Sequence, residues 1–273
     1  MVMKRGDDFF LFRNKRGQVA VFIIIAVLIV GLALVVFFLR PGAKVSTPFQ
    51  EKNPNGFIQS CLQDKIAEAV NLTSLQGGSI NPESYILYKG DKIEYLCYSS
   101  EYYKLCAVQQ PALTQHIQSE VKNYILSDVT SCFSNLKKSY QEQGYDVKLE
   151  GTSDETQVQL LPKKILVTFN YTLTTTKGDT KRYNTFNVVL DNNLYELVGI
   201  ANSIIDFEST YGDADTGIYM TFYPDLKVQR FVRDDGSKVY VLTDRQRGNK
   251  FQLASRSLVW PPGYGVAGVS DAA

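Results

Sequence analysis

The sequence predicts an α+β fold: one apolar N-terminal transmembrane helix, then an extracytoplasmic domain of helices packed on antiparallel sheet. Three observations carry this. Val19 to Leu39 is an unbroken apolar run of 21 residues. Residues 57–145 hold two amphipathic helical stripes with a hairpin between them. Residues 146–258 are short strand-like segments parted by polar turns, with one further helix. Helices and hairpins that segregate in this way indicate α+β and not an alternating parallel-sheet fold.

The apolar run has no charge, proline or strongly polar side chain. As a helix it would be about 32 Å long, matching the hydrocarbon core of a bilayer. Lys4, Arg5, Arg13, Lys15 and Arg16 precede it, whereas only Arg40 and Lys44 follow closely. Positive residues stay inside, so the expected topology is single-pass, with a cytoplasmic basic leader (1–18) and the remainder extracellular in the cell membrane. A cleaved secretory signal would be shorter and would end in small residues, whereas Arg40-Pro41-Gly42 follows here. Residues 40–56, with Pro41, Pro48 and Pro54, read as a linker.

Lys15-Arg16-Gly17-Gln18 immediately before the apolar run resembles the class III signal of archaeal type IV pilin-like proteins. The arrangement of the remaining chain is also similar to that of uncharacterised single-pass surface proteins in small-genome archaea. The resemblance implies cleavage by a prepilin-type peptidase after Gly17, leaving Gln18 as the new N-terminus. Two departures stand against a filament subunit: Phe22 occupies the fifth mature position, where many bacterial pilins have Glu, and Pro41-Gly42 stops the helix that pilins usually continue.

From Phe57 the apolar residues Ile58, Cys61, Leu62, Ile66, Ala69, Val70 and Thr73 recur at helical spacing, and Gln76-Gly77-Gly78 gives a stop. Residues 85–88 and 92–98 flank Lys89-Gly90-Asp91 as a hairpin. A long helix is expected after Pro111, with a stripe from Leu113 through Ile117, Val121, Ile125, Val129, Phe133 and Leu136 to Tyr140. Strands are expected over 147–150, 157–161, 164–173 and 182–190. A third helix carries Leu194, Leu197, Val198, Ala201, Ile204 and Ile205, with Asp191 as its cap. A last antiparallel sheet is built from 217–222, 227–233, 238–243 and 251–257, with Asp234-Asp235-Gly236 as a turn. The tail, 259–273, has no periodicity and reads as disordered.

Four cysteines outside the apolar run suggest two disulfides in an oxidising compartment. Of three connectivities, Cys97–Cys106, closing a tyrosine-rich loop, and Cys61–Cys132, stapling two helices, are preferred. The missing C-x2-C pairs argue against zinc. Removing the six basic and two acidic residues of 1–40 from totals of 29 and 28 leaves 23 basic and 26 acidic, a net charge of −3. That balance speaks against a general nucleic-acid partner.

Candidate chemistry is sparse. His116 is the only histidine and lies on the long helix, and no G-x-S-x-G elbow accompanies it. Ser119-x-x-Lys122 and Ser134-x-x-Lys137 match the S-x-x-K form but lack partner motifs. Asp213, Asp215 and Gly217 resemble the start of a calcium loop, yet Pro224 stands where the twelfth-position Glu belongs. Asp206 and Glu208 could pair for glycoside chemistry. Tyr95, Tyr98, Tyr102 and Tyr103 offer amphipathic contact area for binding. Residues 225–256 carry a local net charge of +4 suited to anionic glycans or lipid head groups. Asn71-Leu72-Thr73 and Asn170-Tyr171-Thr172 are glycosylation acceptors if that side faces outward.

The expectation is therefore a membrane-tethered, surface-exposed, non-enzymatic interaction or envelope protein. It would touch membrane lipid and envelope or filament proteins, with no cofactor and no metal. A pilin-like filament subunit processed after Gly17 is the first alternative, and a cell-envelope hydrolase built on carboxylates the second.

Overall fold

A computed structural model describes residues 26–31 and 53–259 of the chain. The first stretch is helical and exposed, and its six residues span about 9 Å, against roughly 30 Å for a bilayer core. The rest of the expected span, residues 19–25 and 32–39, lies outside the described residues, as do Gly17, Gln18, the basic leader, the 40–52 linker and the 260–273 tail. Among the described residues no helix is long and apolar enough to cross a membrane, because each long helix carries three or more charged side chains. The fold class is corrected accordingly to α+β with mixed sheets. The readings built on a spanning helix fall with it: the single-pass topology, contact with membrane lipid, the archaeal pilin-like assignment with its class III signal, and the tethered surface function.

Helix α1 (Pro54–Leu75) starts inside the segment read as linker. Asn53 accepts from the backbone N–H groups of Asn55 and Gly56 at 3.1 and 3.2 Å, and Pro54 takes the first helical turn, where its missing N–H is harmless. Its stripe Ile58, Leu62, Ile66, Ala69 and Val70 is buried. Helix α2 (Leu113–Glu142) runs unbroken, and a buried residue every fourth position from Leu113 to Val129 forms one ridge. The two helices are joined by the Cys61–Cys132 disulfide, with Cα atoms 6.1 Å apart.

They cover a four-stranded antiparallel sheet. Strand β6 (Lys164–Lys177) has β7 (Asp179–Asp191) along one edge, while β4 (Asp146–Glu150) and β5 (Gln157–Leu161) share the other edge end to end. Alternate residues Ile165, Val167, Phe169, Tyr171 and Leu173 point into the core. The β4–β5 connection passes residues 170–171 of β6, where the register of β6 with β7 shifts, and Gly151 makes this close approach. Its φ is +116°, and a Cβ there would lie 2.7 Å from Asn170 O and 3.0 Å from Tyr171 Cα. Gly151→Ala is therefore expected to lower stability by about 1–3 kcal/mol from the backbone alone, with the clash in addition. Gly90, at φ +98° in open space, supplies the comparison: equal urea midpoints for the two alanine variants would show that the close approach adds nothing.

The second sheet is mixed. Its order is β1 (Tyr85–Tyr88), β2 (Asp91–Tyr98), β10 (Lys250–Arg256), β9 (Lys238–Asp244), β8 (Leu226–Val232), with β3 (Ala107–Val108) also paired to β2. The β2–β10 pair is parallel and the others antiparallel, which corrects the expectation of a purely antiparallel sheet. Ile93, Tyr95, Val239, Val241 and Ala254 cluster on one face. The alternate residues of β9 and β10 face helix α3 (Leu194–Tyr211) instead. Residues 217–222, read as strand, belong to a short helix, α4 (Thr216–Phe222), because Asp215 accepts from Gly217 N at 2.8 Å and caps it.

Candidate functional site

Helix α3 ends at Gly212, whose φ of +82° lets the chain reverse at once. The reversal is held by an ionic network with Glu208 at its centre. Glu208 is fully buried. Its Oε1 accepts from Lys238 Nζ at 2.9 Å, Tyr240 OH at 2.5 Å and Ala214 N at 3.2 Å, and its Oε2 accepts from Lys238 Nζ at 2.9 Å and Ser255 Oγ at 2.7 Å. Lys238 also donates to Gly212 O at 2.6 Å and Asp213 Oδ1 at 3.0 Å, where Arg230 Nη1 joins at 2.5 Å. Burial, then the Glu208 charge beside it, pushes the Tyr240 phenol well above its ordinary range. The phenol therefore stays a donor. Both Glu208 oxygens and the Lys238 ammonium are engaged and buried, while Asp213 and Arg230 sit at the partly exposed rim, so the network's role is to fix residues 212–215.

Those residues set α4 against α3. Tyr219 of α4 is buried, and its OH lies 3.0 Å from Ser203 Oγ of α3. Between the two helices runs a groove of two adjoining cavities, of about 440 and 340 Å³, which share Ser203, Tyr219 and Tyr223. Leu197, Ile200 and Leu226 line the larger, and Phe207, Ile218 and Phe222 the smaller. Gly199 has nothing within 4 Å of where a Cβ would stand, which keeps the larger cavity open. Phe222 is 75% exposed, and Ile218, Tyr223, Phe207 and Tyr211 are exposed beside it. An apolar surface this dense with aromatic rings, next to a concavity of ligand size, makes this groove the candidate binding surface. Glu196, Asp225 and Arg247 stand around the larger cavity and Asp215 at the smaller.

A second polar cluster was not visible in the sequence. The Gly77-Gly78 reversal after α1 wedges Ser79 between β2 and α2. Ser79 Oγ lies 2.5 Å from Glu94 Oε2 and 2.7 Å from His116 Nε2. Histidine meets serine here, but Glu94 contacts the serine, not the imidazole as in a hydrolytic triad. Ser79 is also buried, with only 6% of its surface exposed. Burial raises the Glu94 carboxyl above the usual carboxylate range, against the lowering effects of Ser79 and His116. A carboxyl raised in the fold binds a proton that the unfolded chain has already released, so stability falls as pH climbs from about 4.5 through the folded value. Glu94→Gln, which keeps an acceptor for Ser79, is expected to flatten this slope and to match or exceed the wild-type melting temperature at neutral pH. Parallel melting-temperature profiles for the two proteins would refute it. His116 and Glu120 face the same cluster, and both are common to the two proteins.

The remaining sequence candidates separate in space. Cys61–Cys132 and Cys97–Cys106 are the two disulfides. Tyr95 is buried and bonded to Ser237 at 2.9 Å, and Tyr98 packs edge-on against it at 5.1 Å. Tyr102 and Tyr103 are exposed on the disulfide loop, so the four tyrosines do not form one surface. Asp206 is exposed while Glu208 is sealed, because residues two apart on a helix point to different sides. Asp213 is taken by Lys238 and Arg230, and Asp215 by its capping role. Ser134 bonds Thr130 O and Lys122 bonds Asp154 O, so neither S-x-x-K pair meets. Much of the +4 of residues 225–256 is engaged internally: Lys238 by Glu208, Arg230 by Asp213, Arg233 by Leu87 O, and Arg256 by Ser99 O and the Tyr98 and Tyr102 rings. The groove itself had a legible trace, since Ile218/Phe222 and Tyr219/Tyr223 repeat at four residues behind a capping Asp. Comparison with known proteins finds no matching family model, no matching curated protein and no matching solved structure.

Proposed function

We propose that this protein is a non-enzymatic binding module whose α3–α4 groove receives an apolar stretch of a polypeptide partner. The observation that carries it is the bank of exposed aromatic and aliphatic side chains, Phe207, Ile218, Phe222 and Tyr223, around cavities of about 440 and 340 Å³. Placement favours binding over catalysis. The polar groups that the fold packs together, Glu208 with Lys238 and Ser79 with Glu94, are withdrawn from solvent, while the concavity between α3 and α4 brings apolar side chains, Leu197, Ile200, Phe207, Ile218 and Phe222, to its walls. Aromatic anchors seated in a preformed groove are the usual energetic centre of such contacts.

Selection of a random peptide library on the full chain, with counter-selection on an Ile218→Ser/Phe222→Ser variant, tests this. Enrichment of apolar, aromatic sequences that the variant fails to hold is the expected result. Recovery of the same sequences on both proteins would remove the groove from consideration.

A further inference from the structure

We infer that the segment received by this groove is cationic as well as apolar, with lysine or arginine bracketing its apolar residues; this rests on the binding reading above. The groove carries carboxylates that the fold does not fully engage. Asp225 stands exposed at the larger cavity with no side-chain partner among the described residues, and Asp206 stands exposed on α3 next to Phe207. Glu196 accepts from Lys163 N at 2.9 Å through Oε1, while its Oε2 is buried with no hydrogen-bond partner. A buried acceptor without a donor is unusual in a folded protein and is satisfied when a donor arrives. At the smaller cavity Asp215 uses only Oδ1 for its cap.

The cations nearby do not answer these charges. Arg247 is directed at Asp191 and Asp244, at 3.5 and 3.9 Å, and Lys163 contributes a backbone N–H to Glu196 and makes no salt bridge among the described residues. The larger cavity is lined by Glu196, Asp225 and Asp244 against Lys163 and Arg247, and the smaller by Asp215 alone, so carboxylates outnumber cations around the apolar walls and complementarity favours a partner of the opposite sign. The rings help, because Phe222 and Tyr223 offer faces over which a guanidinium or ammonium can rest.

The test uses the full chain and two fluorescein-labelled peptides, one alternating leucine and tryptophan with lysine, the other with glutamate at each lysine. Anisotropy is expected to show the lysine peptide bound about tenfold tighter, with most of the difference lost near 0.5 M salt. Glu196→Gln and Asp225→Asn, which preserve shape, should together weaken the lysine peptide about tenfold without weakening the glutamate peptide. Equal binding of both peptides, abolished by Phe222→Ser, overturns the charge preference and leaves the groove standing. Binding of either peptide that Phe222→Ser does not affect overturns the inference together with the reading beneath it.

Discussion

Lys238→Met should lower the unfolding free energy by about 3–5 kcal/mol, since it strands a buried carboxylate. Glu208 has no exposed surface, and the ammonium touches both its oxygens. Without it the charge retains only the Ala214 N–H and the Tyr240 and Ser255 hydroxyls as donors. Urea denaturation of the variant measures the loss. Glu208→Leu combined with Lys238→Met removes both charges, and it should recover a large part of what the single change costs. A single-variant effect below about 1 kcal/mol, the range of an exposed pair, would mean that water reaches this network in solution. The same substitution frees the 212–215 reversal, so peptide uptake by the α3–α4 groove should weaken with it.

Phe133→Ala is expected to destabilise the other half of the fold by about 3–5 kcal/mol. The ring is 1% exposed and stacks on Tyr171 at 3.8 Å with 9° between planes, while Phe169 and Phe186 meet it edge-on at 5.9 and 5.1 Å. It is thus the point where α2 is keyed into β6 and β7. Its neighbour Cys132 holds α1 through the disulfide, which limits how far the helices can close over the void. Thermal unfolding by near-UV and far-UV circular dichroism together would detect the loss. A shift of the near-UV transition alone would mean that the sheet tolerates the gap without unfolding cooperatively.

The element positions that could be read from the sequence were those with a strong period. The four-residue ridge of α2 and the alternation of β6 each report one buried face, and one buried face is a local property of the pattern. Residues 217–222 misled because Ile218, Tyr219, Phe222 and Tyr223 are β-branched or aromatic and hence strand-forming. Their four-residue repeat was outweighed by propensity, although Asp215 in front of it was a cap. The apolar run 19–39 was a reading from composition, and composition says that a segment is apolar without saying how it is placed. The Glu208 network could not have been found by spacing. Its members come from α3, the 212–214 loop, β8, β9 and β10, and charges at such separations look solvated until tertiary pairing seals them. Ser79, Glu94 and His116 were hidden for the same reason.

The parallel pairing of β2 with β10 bears on how the chain reaches this state. β10 sits between β2 and β9, so the last strand among the described residues is an interior one, and its register couples Tyr95 to Ala254. During synthesis, β1 and β2 can pair, and β8 with β9, but these hairpins cannot join until residue 256 has left the ribosome. Before that moment β2 and β9 each present an edge that another chain could occupy. Closure across so long a separation is slow relative to hairpin formation. The vulnerable interval therefore lasts until β10 is available, and a chain without β10 would lose the junction of its sheet.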